Sequence, residues 1–137
     1  MASKGETYAG IGADVVRFTV PVPPYALGLN GSRVHWSKRS TVKRDYQEAV
    51  WIAGHGLGKP ISCPWTFAEV EYDWYSIRQV DLDNIVIRMK YALDVMTEKG
   101  LNIIVNDKGV NALTTRWHKA AKPKDERVIV TVTRRDP

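Results

Sequence analysis

The sequence predicts an α+β fold: a single domain with one mixed β-sheet and two main helices packed on it. Three observations carry this. Segments rich in β-branched residues with period-two alternation are interspersed with two segments of helical spacing. Their order, β-α-β-α-β-β-β, is that of one sheet covered by two helices. The length of 137 residues suits one domain with a real core, and 44% hydrophobic against 26% charged residues is a globular composition.

Residues 1–13 are rich in Gly, Ala, Ser and charge and read as a flexible N-terminal tail, leaving the domain to span 14–137. Val15 to Val22 alternates through Val16, Phe18 and Val20 as a first strand. Pro21, Pro23 and Pro24 confine it to an edge or a strand end. Tyr25 to Ser40 is a long loop. Thr41 is the candidate N-cap of a helix from Val42 to Gly54, in which Tyr46, Ala49, Val50 and Ala53 share a face. Gly54, Gly56, Gly58 and Pro60 end it.

Trp65 to Ile77, with Phe67, Val70, Tyr72 and Trp74, is the second strand. Leu82 to Lys99 is the second helix. It is apolar over most of its circumference (Ile85, Ile87, Met89, Ala92, Leu93, Met96), so it should be largely buried, and Gly100 closes it at a C′ position. Asn102 to Asn106 and Val110 to Trp117 are short strands. Lys119 to Glu126 is a charged turn, and Arg127 to Thr133 is the last strand.

The formal charge is +5 and the sequence pI is about 9.4, a balance that favours a polyanionic partner. Cys63 is the single cysteine, which excludes an intrachain disulfide framework and reads as a small buried hydrophobe. No apolar run is long enough to span a bilayer, and the first residues lack the apolar core of a signal peptide. A cytoplasmic protein without membrane contact is the expectation.

The chemistry concentrates in Asp81-Leu82-Asp83-Asn84 and in Asn106-Asp107, one helix later. On an extended segment Asp81 and Asp83 point to one face. Asp83 alone is explained as a helix N-cap, and Asp107 alone as a turn residue before Gly109; the set together is costly, because like charges repel. A divalent cation removes that cost, and hard oxygen donors suit Mg²⁺, held by carboxylates together with phosphate oxygens of a substrate. Asp83, Ile87, Lys90 and Asp94 share a helix face, so Lys90 and Asp94 form an i, i+4 pair beside the acidic residues. Lys90 is either an ion-pair residue or a group that stabilises developing charge on phosphate.

The segment Leu29 to Arg39 contains no acidic residue. Asn30, Arg33, His35, Trp36, Lys38 and Arg39 suit a nucleic-acid backbone, with cations on phosphates and Trp36 stacking or wedging at a base. Arg116 and Lys119 belong to a second basic cluster, with His118, Lys122 and Lys124.

These residues resemble the RusA family of Holliday junction resolvases, in its phage and actinobacterial form. The resemblance rests on Asp81-Leu82-Asp83-Asn84, Lys90 and Asp94, Gly100, Asn106-Asp107 and the Arg33-x-His35-Trp36 loop, across most of 15–133. It implies a RusA-like fold and a homodimeric, Mg²⁺-dependent endodeoxyribonuclease, with Mn²⁺ as a substitute, that resolves four-way DNA junctions by paired symmetric nicks in recombination and repair. The family's essential carboxylates match Asp81, Asp83 and Asp107, and its lysine matches Lys90 with a three-residue insertion. Where the family often has Asp-Asp, this chain has Asn106-Asp107, which lowers the negative charge. Two other classes fit the same residues: a non-catalytic DNA-binding module, and a less selective nuclease acting on forks or flaps.

Overall fold

A computed structural model describes residues 10–11, 14–28 and 36–137. The strands are β1 (Gly10–Ile11), β2 (Val15–Val20), β3 (Ala68–Ser76), β4 (Val110–Lys119) and β5 (Arg127–Arg134). The helices are α1 (Trp36–His55) and α2 (Leu82–Met96). One sheet runs in the order β1-β2-β5-β3-β4. The pairs are antiparallel except β3 with β4, so the sheet is mixed and the α+β expectation holds. The parallel pair is joined by α2 as its crossover, as parallel strands require.

Alternation decides which face of the sheet is covered. Val16, Phe18 and Val20 of β2, Val70, Tyr72 and Trp74 of β3, and Val128, Val130 and Val132 of β5 are buried. They form one cluster with Tyr46 and Val50 of α1 and with Ile85, Met89, Ala92 and Met96 of α2. Each Val, Ile, Phe or Met side chain among them contributes about 1.5–3 kcal/mol by leaving water. Polar bonds set the helices on the sheet: the Tyr46 hydroxyl donates to the Pro21 carbonyl at 2.8 Å, and the Gln47 amide donates to the Tyr91 carbonyl at 3.1 Å. Burial pushes the Tyr46 and Tyr72 hydroxyls above the usual phenol range, so both stay neutral.

The opposite face of β3 carries Glu69, Glu71 and Asp73; Arg135 pairs with Glu69, Arg116 pairs with Glu71 and Asp73, and the His118 ring lies 2.8 Å from Asp73. The parallel register sets Asp73 beside Arg116 and Tyr75 beside His118, which stack with ring centroids 4.5 Å apart.

Several boundaries differ from expectation. α1 begins at Trp36 rather than Val42, and Thr41 lies inside it, its hydroxyl donating to the Ser37 carbonyl at 3.1 Å. Ser37, Lys38, Ser40 and Thr41 are exposed, so these turns carry no apolar periodicity to read. α2 ends at Met96 rather than Lys99. There the Thr97 hydroxyl donates to the Asp94 carbonyl at 2.7 Å, and the chain folds back so that Leu101 N–H reaches the Val95 carbonyl at 2.6 Å. Gly100 serves that fold-back: a Cβ there would lie 2.3 Å from the Val95 carbonyl oxygen. The strand expected at 102–106 reduces to one parallel bridge, Trp65 to Ile104. α2 is amphipathic rather than buried all round, with Leu82, Val86 and Lys90 exposed. Gly10 and Ile11, placed in the tail by composition, pair with Arg17 and Val16. Among the described residues no helix is long and apolar enough to cross a membrane.

Gly109 leads into β4 where its backbone abuts Thr66; a Cβ would lie 1.9 Å from the Thr66 carbonyl oxygen. Gly109→Ala is expected to cost about 1–3 kcal/mol through backbone overpacking. Urea unfolding should show a lower midpoint at unchanged slope; an unchanged midpoint would mean that this approach is not rigid.

Candidate functional site

The residues set apart by chemistry lie at the two ends of α2. Asp81 is its N-cap and Asp83 stands in its first turn. Asp107 opens the 3-10 turn Asp107–Gly109 that feeds β4. Since β3 and β4 are parallel, the chain leaves β3 at one end of the sheet, returns along α2 and enters β4 at the other. α2 has 15 residues; at 1.5 Å per residue it separates the two ends by about 22 Å. Among the described residues, no three His, Cys, Asp or Glu side chains stand together as a metal-holding group. The three-aspartate centre of Asp81, Asp83 and Asp107 is therefore not assembled within one chain, and the parallel crossover is the reason.

At the N-terminal end, Asp81 is extended (φ −64, ψ 143) and its side chain makes no capping bond. The Asp83 carboxylate accepts the Asn84 N–H at 2.9 Å. The N-cap is thus two residues earlier than expected. Because Leu82 and Asp83 are already helical, the shared face of an extended segment does not apply to the pair. Both carboxylates are exposed, and neither takes an ion pair among the described residues. The positive end of the α2 dipole favours both. Two exposed carboxylates fit Mg²⁺, which takes one or two protein carboxylates and completes its shell with water and substrate phosphate. Asp107 of the same chain does not fit that set.

Behind the pair, a groove of about 540 Å³ is lined by Asp81, Asn84 and Arg88 of the helix and by Trp74, Ser76 and Arg78. One hydroxyl holds its floor. Ser76 Oγ accepts from the indole N–H groups of Trp74 and Trp117, each at 3.0 Å, and donates to the Arg78 carbonyl at 2.6 Å. That uses the full donor and acceptor capacity of a serine, and it fixes the loop that delivers Asp81.

At the C-terminal end of α2, Asp94, Asn106 and Asp107 border a second cleft of about 610 Å³ with Lys43, Trp51 and Glu98. Asn106 Oδ1 accepts the Lys108 N–H at 2.8 Å, so Asn106 is the cap of the turn that presents Asp107. Lys90 is exposed midway along α2 and, among the described residues, makes no ion pair with Asp94.

The residues expected to meet DNA are divided. Asn30, Arg33 and His35 lie outside the described residues, and Trp36 is the first residue of α1. Lys38 is exposed on α1. Arg39 turns inward, donating to the Tyr91 hydroxyl at 3.4 Å while its other terminal nitrogen is buried without a partner. Arg116 is clamped between Glu71 at 2.9 Å and Asp73 at 3.2 Å, which holds its guanidinium above the usual range. Lys119 donates to the Ile77 carbonyl at 2.6 Å. Arg116 and His118 thus serve the sheet's own carboxylates and Lys119 the loop before α2, while Lys122 and Lys124 of the same cluster are exposed.

Sequence reasoning missed Arg88 and Arg78. The signal for Arg88 was a cation four residues after Asn84 and seven after Asp81, hence on their side of the helix, between the apolar Ile85 and Met89. No protein-family model matches the chain, and no curated protein matches it either.

Proposed function

We propose that the chain is a RusA-like, Mg²⁺-dependent endodeoxyribonuclease that works on four-way DNA junctions as a homodimer, with Mn²⁺ as a substitute ion. The observation that carries this reading is the exposed pair Asp81 and Asp83 at one end of α2, without an ion pair among the described residues, with Asp107 at the other. A two-fold axis crossing α2 near its middle sets the N-terminal end of one copy beside the C-terminal end of the second. Asp107 of the second copy then completes the pair, and symmetry does so twice. Leu82 and Val86, 52% and 37% exposed, and the half-buried Leu93 make an apolar strip along α2 suited to that contact. Two centres related by a two-fold axis match the two-fold symmetry of an open junction and give paired nicks.

Asp81 and Asp83, with Asp107 of the second copy, would hold the metal, which would supply polarisation of the scissile phosphate and a lowered pKa for the attacking water. Lys90, exposed on the outward side of the helix, neutralises charge that develops on the phosphate. Lys38 and the basic segment before it hold the DNA arms through phosphate contacts.

The deciding experiment incubates the protein with a synthetic junction, a fork and a linear duplex, with Mg²⁺ and with chelator. Paired junction nicks that chelator abolishes support the proposal. The dispersed aspartates favour one other reading, a non-catalytic DNA-binding module, and binding to all substrates without any nicking would select it. Equal cutting of junctions and forks would select the less selective nuclease. Lys90→Ala should change the stability of the single chain, in which it is exposed, by less than about 0.5 kcal/mol. It should lower cleavage by about 10²-fold with junction binding kept; full activity would remove Lys90 from the chemistry.

A further inference from the structure

Arg88 is 7% exposed, and its Nε is buried with no hydrogen-bond partner. One terminal nitrogen donates to the Pro23 carbonyl, and the guanidinium lies over the Trp74 ring, 4.9 Å from its centroid. No carboxylate pairs with it among the described residues. Burial lowers its proton affinity below the usual guanidinium range, yet an arginine remains charged. A buried, unpaired cation is costly, and an apolar side chain of similar volume would fill the place without that cost.

Arg88 lines the groove behind Asp81, and the N-terminus of the 15-residue α2 opens onto the same groove. The first N–H groups of a helix favour anions; here the Asn84 N–H is taken by the Asp83 carboxylate and the Ile85 N–H by the Asp81 carbonyl, which leaves those of Leu82 and Asp83. Arg78 adds an exposed cation at the rim. Of the acidic residues there, Glu126 is already engaged, its carboxylate accepting the Ile77 N–H at 2.9 Å. Asp81 is the second; its carboxylate is exposed and screened by solvent, whereas the Arg88 cation is buried and is not.

We infer that this groove is a phosphate subsite, in which Arg88, Arg78 and the N–H groups of Leu82 and Asp83 take one phosphodiester of a nucleic-acid strand beside Asp81 and Asp83. The anion supplies the missing countercharge of Arg88. The identity of the ligand as DNA rests on the proposed function; the affinity for a phosphodiester does not.

The test is a titration of the full ¹⁵N-labelled chain in chelator at constant ionic strength, first with inorganic phosphate and then with a thymidine dinucleotide. The expected result is a saturable shift of the Arg88 Nε–H resonance and of the 82–85 amides, in the millimolar range, with the dinucleotide binding more tightly. Arg78→Gln, at an exposed position, should weaken binding at least threefold, and Arg88→Lys, if folded, should abolish it. Absence of saturable shifts in this groove overturns the subsite, as does dinucleotide binding that maps to α1 alone. Shifts with inorganic phosphate only overturn the assignment to a nucleic-acid strand. Because no metal is present, failure of the nuclease reading leaves these outcomes unaffected.

Discussion

Asp83→Asn is expected to abolish nicking of a four-way junction, by 10²-fold or more, while junction binding stays nearly intact. The substitution keeps an oxygen able to accept the Asn84 N–H, so the first turn of α2 survives. It removes one carboxylate charge at the helix N-terminus, worth about 0.3–1 kcal/mol of stability. The loss of activity therefore reports the metal ligand and not the fold. A mixing experiment carries the argument further. If each centre takes Asp81 and Asp83 from one copy and Asp107 from the other, Asp83→Asn and Asp107→Asn are each inactive as homodimers. A heterodimer of the two then has one doubly broken centre and one intact centre. The mixture should regain single-strand nicking without paired cuts. If the centre lay within one chain, every centre in the mixture would stay broken. Wild-type cutting by Asp83→Asn refutes the metal assignment, and an inactive mixture refutes the shared centre.

Much of the fold was legible because burial imposes a period. Val16, Phe18 and Val20, and Val128, Val130 and Val132, alternate against the helices and are buried as their spacing demands. Tyr46 and Val50 mark the inner face of α1 in the same way. Legibility failed where no apolar pattern reports position. The first turns of α1 are polar and exposed, and the end of α2 is set by the Thr97 hydroxyl and the approach of Gly100 to Val95. The carboxylates were found by residue type, but their separation was not. Nearness in a motif list says nothing about which strands pair, and the parallel register of β3 and β4 alone sends Asp107 to the far end of α2. The pairing of Arg116 was not legible for the same reason, since its acidic neighbours Asp73 and Glu71 are on a strand 43 and 45 residues earlier. Arg88 was visible as a cation inside an apolar helix, yet only packing shows that it lacks a countercharge.

The largest loss of stability should follow Trp74→Ala. Trp74 is fully buried near the C-terminal end of β3, with Val128 as its cross-strand neighbour in β5 and Trp117 in β4. Removing the indole leaves a large cavity, for which about 3–5 kcal/mol is expected, a substantial part of the 5–15 kcal/mol that holds a typical domain together. Two further effects add to the cavity. The guanidinium of Arg88 loses the ring beneath it, and Ser76 Oγ loses one of the two indole donors that fix the loop before Asp81. Trp74→Phe separates these causes, because it keeps an aromatic face under Arg88 while removing the N–H donor. It should cost well under half as much in urea unfolding. It should still disturb the groove, seen as a changed Arg88 Nε–H resonance in a folded protein. Equal destabilisation by both variants would mean that the hydrogen bond to Ser76, and not the packing of the ring, holds this end of the sheet.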